Sequence, residues 1–340
     1  MSQIILGRTG LTVNRNGFGA LPIQRISRSD AVYLLRKAWH SGIDFYDTAR
    51  FYTDSEEKLG EAFHAMREKV VIATKTMAQN AADLRQQLEI SLRELRTDYV
   101  DLYQFHNPGF CPRPGDESGL YEAMLEAKQQ GKIRFIGITN HRLALAMEAV
   151  SSGLYDTVQF PLSYLSSDSD LQLAAACKAK NIGIIAMKAL SGGLITDSAA
   201  AYAYLAQFGN ILPIWGIQLE QELDEFLSYD RNPPVLTPAM TAKIEQDRRE
   251  LSGSFCRGCG YCMPCPAGIE INTCARMSLL LRRAPHRVYL SPDWQRKMDK
   301  IAECVHCNRC VSRCPYQLNP PEMLQKNYED FLTFLPKKQG

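Results

Sequence analysis

Residues 70–106 read VVIATKTMAQNAADLRQQLEISLRELRTDYVDLYQFH. Short continuous apolar runs at 70–74 and 100–105 flank a stretch with the amphipathic pattern of a helix. Continuous apolar runs of this length are typical of parallel strands that are buried on both faces. This part of the chain therefore predicts a strand, a helix and a second strand in succession.

The same alternation extends through the first part of the chain. Six further apolar runs lie at 16–20, 43–46, 133–138, 157–160, 182–187 and 211–216. Helical stretches between the runs open at Ser29-Asp30, at residues 54–57 and at Asp116-Glu117, and two of them close at Gly42 and Gly131. Eight such units fit a closed (β/α)8 barrel, an α/β fold that takes about 250 residues. An open doubly wound sheet is the alternative, but no GxGxxG follows the first run.

Length and composition limit the remaining possibilities. The chain has 340 residues, 45% of them hydrophobic, and a formal net charge of +2. Because a single core stops growing at roughly 250–300 residues, we expect one large domain and a smaller one. No apolar stretch approaches the ~20 residues that span a bilayer, and the start MSQIILGRTG lacks the apolar run of a secretory signal. These features predict a cytoplasmic protein without a membrane span, and the balanced charge disfavours nucleic-acid binding.

Polar side chains follow three successive apolar runs. Asp47, Lys75 and His106 each come directly after a run, and Tyr52 lies five residues beyond Asp47. In a (β/α)8 barrel the carboxyl ends of the strands meet at one face, where the active site lies. We therefore expect four groups capable of proton transfer to converge there.

Several stretches resemble the aldo-keto reductase family. They are LGRTGL at 6–11, GFG at 17–19, GIDFYDTA at 42–49 followed by Tyr52 and Ser55-Glu56, ATK at 73–75, DLYQFH at 101–106 and GITN at 137–140. The resemblance covers residues 1 to about 228 and implies a barrel domain there. It also implies a catalytic tetrad of Asp47, Tyr52, Lys75 and His106, in which Tyr52 is the general acid toward a carbonyl oxygen and a nicotinamide supplies hydride.

Elementary acid–base chemistry agrees with these roles. A phenol keeps its proton at neutral pH unless a neighbouring cation stabilises the phenolate. Lys75 can supply that cation, and Asp47 can keep Lys75 charged and oriented. His106 can donate a hydrogen bond to the substrate oxygen and so polarise the carbonyl group.

The resemblance further implies a dinucleotide along the same face of the barrel. The matching positions are Thr139, Asn140 and Gln159 for a carboxamide, the loop Ser191, Gly192 and Gly193 for a pyrophosphate, and Gly216 at the end of the last run. Beyond Gly216 the chain departs from the family pattern. Leu219 and Glu220 offer no ligand to an adenosine 2′-phosphate, and Phe226 replaces the Asn that binds adenine in the family. NADH, or no nicotinamide, is therefore favoured over NADPH.

The cysteines are concentrated at the end of the chain. Of the 11 cysteines, all except Cys111 and Cys177 fall after residue 255. In a reducing cytosol such clustering indicates metal ligands rather than disulfides. The cysteines form Cys256-x2-Cys259-x2-Cys262-x2-Cys265-Pro266 and Cys304-x2-Cys307-x2-Cys310-x3-Cys314-Pro315. The second motif matches the run of bacterial [4Fe-4S] sites, in which the fourth cysteine ligates the other cluster.

Applied to both motifs, this rule predicts two [4Fe-4S] clusters. The first would be held by Cys256, Cys259, Cys262 and Cys314, and the second by Cys304, Cys307, Cys310 and Cys265. Zinc is the alternative, because paired CxxC motifs also bind zinc, but zinc does not account for two runs that each end in Cys-Pro. The remaining cysteine of the tail, Cys274, is predicted to be a core thiol.

The tail and its connection to the barrel have helical patterns. We expect a linker at 229–255 with a helix that opens at Thr237-Pro238. Helical patterns at 274–283 and 292–303 make the tail, 256–340, similar to an α-helical two-cluster ferredoxin-type domain. Joined to the barrel, this tail makes the chain resemble the iron-sulfur aldo-keto reductases.

Three functions are compatible with this combination. The first is reduction of an aldehyde or ketone, or the reverse oxidation of an alcohol, with NAD(P)H and with clusters that exchange electrons with a carrier such as ferredoxin. The second is a ferredoxin-driven one-electron reduction or dehydroxylation of a substrate, through a ketyl-type radical and without a nicotinamide. In the third, the clusters are structural or dock a partner.

Overall fold

The structure, a computed structural model, describes residues 3–251, 255–283 and 288–335. Its contacts divide the chain into two compact units. The first comprises Met1–Ala189 and Tyr202–Leu236, and the second comprises Leu190–Ala201 and Thr237–Gly340. The segment Leu190–Ala201 thus groups with the cysteine-rich tail, although it follows the seventh apolar run in sequence. Parts of the predicted domains and linker, at 1–2, 252–254, 284–287 and 336–340, lie outside the described residues.

Eight parallel strands close into a barrel, which confirms the predicted fold. The strands are β3 (Gly17–Gly19), β4 (Phe45–Asp47), β5 (Val71–Thr76), β6 (Val100–His106), β7 (Ile133–Thr139), β8 (Thr157–Pro161), β9 (Gly183–Met187) and β10 (Ile211–Gly216). Each strand pairs with the next along the chain, and β10 pairs with β3. Nearly every residue of these strands is buried, because side chains fill the barrel on one face and helices cover the other.

An antiparallel hairpin precedes the barrel and was not predicted. It consists of β1 (Gln3–Ile5) and β2 (Thr12–Asn14), which place Ile4 opposite Val13. Both side chains belong to an apolar cluster with barrel residues that include Phe45 and Leu102. The turn between the strands contacts the chain just before β9, through an isolated bridge between Gly7 and Ile182.

Helices alternate with the strands of the barrel along the chain. They are α1 (Arg28–His40), α2 (Ser55–Phe63), α3 (Ala81–Leu95), α4 (Leu120–Gln129), α5 (Leu143–Ser152), α6 (Asp168–Ala179), α7 (Ser198–Ala206) and α8 (Glu220–Arg231), with short 3₁₀ helices at Pro22–Arg25 and His64–Lys69. The predicted start of α4 at Asp116-Glu117 is wrong. The Asp116 carboxylate accepts the amides of Arg113 and Ser118, at 2.7 and 2.8 Å, and these bonds form a turn before the helix instead of capping it.

The described part of the second unit is mostly helical, as the tail pattern predicts. Its helices are α9 (Pro238–Glu250), α10 (Ile271–Cys274), α11 (Met277–Arg283), α12 (Pro292–Asp299), α13 (Arg309–Ser312) and α14 (Pro320–Phe334), with a 3₁₀ helix at Lys300–Glu303. The helix α14 was not predicted. It contributes the buried Phe331 and also Asn327, which accepts from the Ser278 amide at 2.8 Å and donates to the Ala275 carbonyl at 3.1 Å. Among the described residues, no helix is long and apolar enough to cross a membrane.

Candidate functional site

The fold brings the four residues of the predicted tetrad together at the carboxyl ends of three neighbouring strands. Asp47 ends β4, Lys75 lies near the end of β5, and His106 ends β6. Tyr52 lies in the loop between β4 and α2. Its ring centre is 5.3 Å from the Lys75 Nζ atom and 5.8 Å from the centre of the His106 ring, which it meets edge to face.

Lys75 and Asp47 form an ion pair that is almost completely removed from water. The Lys75 Nζ atom is 2.6 Å from the Asp47 Oδ2 atom and donates a second bond of 2.6 Å to the Thr48 carbonyl. Burial raises the pKa of the Asp47 carboxyl and lowers that of the Lys75 ammonium, whereas the attraction between the two groups opposes both shifts. In such a low-dielectric setting a cation at Lys75 acts strongly on the nearby phenol of Tyr52.

The Asp47 carboxylate has two further partners, both of them glutamines. Gln104 and Gln159 each place Nε2 at 3.4 Å from an Asp47 oxygen, and Gln104 also donates to the Gln159 carbonyl oxygen at 3.0 Å. Sequence reasoning had singled out Gln159 but missed Gln104. A signal was available, because Gln104 precedes His106 by two residues on β6 and side chains at that spacing share one face of a strand.

His106 is neutral at physiological pH. Burial and the neighbouring Lys75 cation lower the pKa of its imidazole to about 3. A neutral imidazole carries one N–H group and one bare nitrogen. His106 can therefore donate a hydrogen bond to a substrate oxygen without bringing a second positive charge into the site.

Backbone bonds fix the loop that carries Tyr52. The Tyr52 amide donates to the Ala49 carbonyl at 2.9 Å, and the Tyr52 carbonyl accepts from the Ser55 amide at 2.8 Å. The Ser55 hydroxyl donates to the carbonyl of Ala20, directly after β3, at 3.0 Å. The loop is thus held between the first helix turn of α2 and the exit of β3, and Tyr52 itself is half-buried.

The residues predicted to hold a carboxamide have different surroundings. The Asn140 side chain is engaged by its own loop, since it donates to the Pro108 carbonyl at 3.0 Å and accepts from the Arg142 amide at 2.8 Å. The Thr139 hydroxyl is buried and has no hydrogen-bond partner among the described residues. A buried, unsatisfied hydroxyl at a strand end is costly unless a ligand completes it. Thr139 therefore fits a polar ligand group better than Asn140 does.

The start of α8, beyond Gly216, is closed by its own carboxylates. The Glu222 Oε2 atom accepts from the amides of Gln218 and Leu219, both at 2.9 Å. Glu220 is 2.7 Å from the Lys37 ammonium. An adenosine 2′-phosphate at this helix start would meet a carboxylate in place of open amide groups.

Phe226 does not face outward in the way that a base-binding side chain must. It is 3% exposed and stacks on Trp215, with ring centres 4.4 Å apart. The position that holds the adenine-binding Asn in the family is thus part of the apolar core here.

In the second unit, Cys256, Cys259, Cys262 and Cys314 line one cavity. Apolar side chains complete its wall, among them Ile271, Leu318 and Met323. This is the set of four cysteines, three from one motif and one from the other, that was predicted for the first cluster. We call this cavity the first cysteine cavity.

The lining of a second cavity includes Cys265, Cys304, Cys307 and Cys310, the set predicted for the second cluster. We call it the second cysteine cavity. Cys262 and Ile271 line both cavities. Among the described residues, no three His, Cys, Asp or Glu side chains converge on one point as the ligands of a single ion would. The sulfurs surround space instead, which suits a multinuclear group.

The remaining predicted residues also have defined positions. Cys274 is fully buried and does not line either cysteine cavity. Ser191, Gly192 and Gly193 lie in the second unit and all have positive φ. The Gly193 amide already donates to the Leu190 carbonyl at 2.9 Å, so it is not aimed at an external anion.

Known families match both parts of the chain. The model of the Aldo/keto reductase family matches residues 15–204, and that of a 4Fe-4S dicluster domain matches residues 255–319. L-galactose dehydrogenase of Arabidopsis thaliana is 34% identical over 211 residues, which cover 56% of this chain and 66% of that protein. The NADH-specific methylglyoxal reductase of Escherichia coli (strain K12) is 27% identical over 228 residues, covering 58% and 70%. The chain thus spans about two thirds of the length of these relatives.

The fold has a close counterpart among solved structures. The holo form of an aldo-keto reductase from Bacillus halodurans superposes with a TM-score of 0.64 at 22% identity. The superposition covers 73% of this chain and 96% of that one.

Proposed function

The chain belongs to the aldo/keto reductase family and carries a 4Fe-4S domain after its barrel, and from this premise we propose that it reduces a small aldehyde or ketone in the barrel, or oxidises the corresponding alcohol. The observation that carries the proposal is the buried ion pair of Asp47 and Lys75 beside Tyr52 and a neutral His106. This arrangement supplies a proton and a hydrogen bond to a carbonyl oxygen.

In the proposed reaction, Tyr52 gives its phenolic proton to the substrate oxygen as the carbonyl carbon accepts a hydride. Lys75 stabilises the phenolate that remains, and Asp47 holds Lys75 in position. His106 donates a hydrogen bond to the same oxygen and orients the carbonyl group for attack. In the reverse direction the Tyr52 phenolate removes the proton of the alcohol.

A reduced nicotinamide, when bound, would supply the hydride. The Thr139 hydroxyl, with its unsatisfied hydrogen bond, suits its carboxamide group, whereas the Gln159 amide is already engaged by Asp47 and Gln104. The Glu222 carboxylate at the start of α8 disfavours the extra phosphate of NADPH. We therefore propose NADH as the nicotinamide, in keeping with the bacterial relative that is named NADH-specific.

The two sets of four cysteines would hold two [4Fe-4S] clusters. Such clusters carry single electrons when bound. The apolar wall of the first cysteine cavity supports this assignment, as does the presence of each predicted set of four cysteines in the lining of one cavity. Two clusters that take one electron each match the two electrons of one hydride, and we propose that they pass these electrons one at a time to or from an external carrier.

The second cysteine cavity has the surface that such a carrier needs. Its rim residues Val305, His306, Cys307 and Arg309 are exposed, Val305 at 64%. Arg309 and the nearby exposed Arg313 give this rim a positive charge. We propose that an acidic one-electron carrier, such as a ferredoxin, docks there, because opposite charge steers weak electron-transfer encounters.

The proposal is tested by Tyr52→Phe, with Tyr33→Phe as the matched control. Tyr33 lies on α1, and its hydroxyl donates to Glu220 at 2.5 Å, outside the tetrad. We expect Tyr52→Phe to lower kcat/KM for aldehyde reduction by about 10²- to 10⁴-fold, the usual contribution of general acid catalysis. Tyr33→Phe should retain wild-type activity. Comparable activity in the two variants would contradict the role of Tyr52.

The closed start of α8 also favours a second candidate function, one-electron reduction of the substrate without a nicotinamide. An anaerobic titration followed by visible absorption separates the two. Bleaching of the clusters by NADH supports the first function, whereas bleaching by reduced ferredoxin alone supports the second. Clusters that neither donor reduces, in a protein that still reduces aldehydes with NADH, would show that the iron-sulfur domain takes no part in the reaction.

A further inference from the structure

One arginine of the second unit lies between the first cysteine motif and the segment Leu190–Ala201. Arg276, in the turn between α10 and α11, donates from Nη1 to the Gly192 carbonyl at 2.8 Å. On its other side it packs against Gly258, two residues beyond Cys256. All of these residues belong to the second unit.

The two glycines make this close approach sterically possible. A Cβ atom at Gly192 would lie 2.7 Å from the Arg276 Nη1 atom, and one at Gly258 would lie 2.8 Å from the Arg276 Cζ atom. Both glycines also have positive φ, 67° and 63°, a backbone conformation that other residues adopt at a cost. The guanidinium therefore occupies a slot that only glycine leaves open on both sides.

The charge of Arg276 lies beside the first cysteine motif. The Gly258 amide donates to the Cys256 sulfur at 3.4 Å, and the Arg276 guanidinium packs against the same glycine. A fixed cation beside a cluster favours its reduced, more negative state, since net charge and hydrogen bonds near the sulfurs set the potential of such clusters.

We propose that Arg276 is a positioning residue that links the first cysteine cavity to the segment Leu190–Ala201. Its guanidinium holds the Gly192 carbonyl in place. The same group raises the reduction potential of the cluster held by Cys256, Cys259, Cys262 and Cys314. The inference rests on the proposed cluster assignment, and its test separates the two.

The test compares three variants of the full-length protein. Arg276→Gln removes both the charge and the planar guanidinium fork, whereas Arg276→Lys keeps the charge alone. Arg282→Gln is the control, because Arg282 lies on the adjacent α11 and forms its salt bridge, at 2.5 Å, with Asp330. Each protein is measured for iron content, for cluster potentials by an EPR-monitored anaerobic titration, and for hydrogen exchange of the peptides that cover 190–201.

We expect Arg276→Gln to lower the potential of one cluster, to leave the other unchanged and to speed hydrogen exchange in 190–201 by about tenfold or more. Arg276→Lys should have a cluster potential close to that of the wild type, but its hydrogen exchange in 190–201 should be as fast as in Arg276→Gln. Arg282→Gln should match the wild type in both the cluster potentials and the exchange rate. Unchanged potentials and unchanged exchange in Arg276→Gln, with full iron content, would overturn the inference. Wild-type protein that cannot be loaded with iron would refute the cluster assignment, and the exchange comparison would still decide whether Arg276 holds the segment.

Discussion

His106 is the residue whose surroundings bear most directly on the pH behaviour of the protein. Its imidazole is buried next to the Lys75 cation, and its pKa falls to about 3, against an ordinary value near 6.5. Protonation of His106 should therefore not lower the activity as the pH falls from 8 to 5.

The same shift predicts a loss of stability in mild acid. Because the unfolded state takes up a proton at His106 below pH 6.5 and the folded state does not, the stabilising effect is complete above that pH and is lost as the pH falls toward 3. Between pH 7 and pH 5 the free energy of unfolding should fall by about 2 kcal/mol on account of His106. Urea denaturation of the wild type and of His106→Asn at both pH values measures this fall. A difference between the two proteins that does not change with pH would contradict the prediction.

The sequence made most of the barrel residues predictable, because a polar residue that ends a continuous apolar run must lie at one face of a parallel sheet. Asp47, Lys75 and His106 all obey this rule. The same rule did not identify Gln104, because this residue lies inside an apolar run and not at its end. Arg276 could not be inferred at all, since its contacts with Gly192 and Gly258 depend on how distant parts of the chain fold together.

At the scale of elements, the β1–β2 hairpin depends on one glycine. Gly7 has φ of 53°, and a Cβ atom there would lie 2.3 Å from the Gly183 backbone nitrogen at the start of β9. Gly10 in the same turn has φ of 68° but nothing within 4 Å of its Cβ position. A side chain at Gly7 would therefore meet both a steric clash and backbone strain, whereas a side chain at Gly10 would meet backbone strain alone.

Gly7→Ala should therefore destabilise the protein by about 3 kcal/mol or more, because strain and overpacking add. Gly10→Ala should cost only about 1–2 kcal/mol, since it meets strain alone. Chemical denaturation monitored by tryptophan fluorescence compares them. Equal losses in the two variants would indicate that the turn adjusts to the added methyl group.

The start of α8 makes a prediction about nucleotide preference. Glu222→Gln removes the negative charge but keeps an oxygen that can accept from the Gln218 and Leu219 amides. We expect the variant to bind NADPH about three- to tenfold more tightly relative to NADH than the wild type does, because repulsion of the 2′-phosphate is relieved. Nucleotide titration by fluorescence measures the ratio. Glu225→Gln, one turn further along α8, is the control, and the same shift in both variants would rule out a local effect of Glu222.

Element boundaries followed from the sequence only where local bonds agreed with the expected cap. The Thr237 hydroxyl accepts from the Met240 amide at 3.2 Å and caps α9 as the Thr-Pro signal suggested. Asp116 turns its carboxylate to the preceding loop, so the helix begins later, at Leu120. The β1–β2 hairpin has strands of only three residues each, which is too short for an alternating pattern to be recognised.

At the scale of the whole molecule, the two cysteine motifs are interleaved rather than separate. The first cysteine cavity takes three cysteines from the first motif and one from the second, whereas the second cavity takes three from the second motif and two, Cys262 and Cys265, from the first. The spacing of the cysteines predicts which four of them share a cluster, whereas the grouping of Leu190–Ala201 with the tail depends on contacts that no local pattern encodes.

This interleaving predicts how single cysteine variants load with iron. Cys314→Ser should lose one cluster, that of the first motif, and so fall from about eight to about four iron atoms per chain. Cys274→Ser should keep the full content, because Cys274 lines neither cavity. Iron and labile sulfide analysis after anaerobic reconstitution compares the two. Full iron in Cys314→Ser, or a loss in Cys274→Ser, would show that the ligands are paired differently.

The shared wall between the two cysteine cavities has a magnetic consequence. Cys262 and Ile271 line both cavities, so two bound clusters would be separated by little more than one layer of side chains. At that range two unpaired spins interact through space. The fully reduced protein would then give a broadened, split signal rather than the sum of two independent cluster spectra.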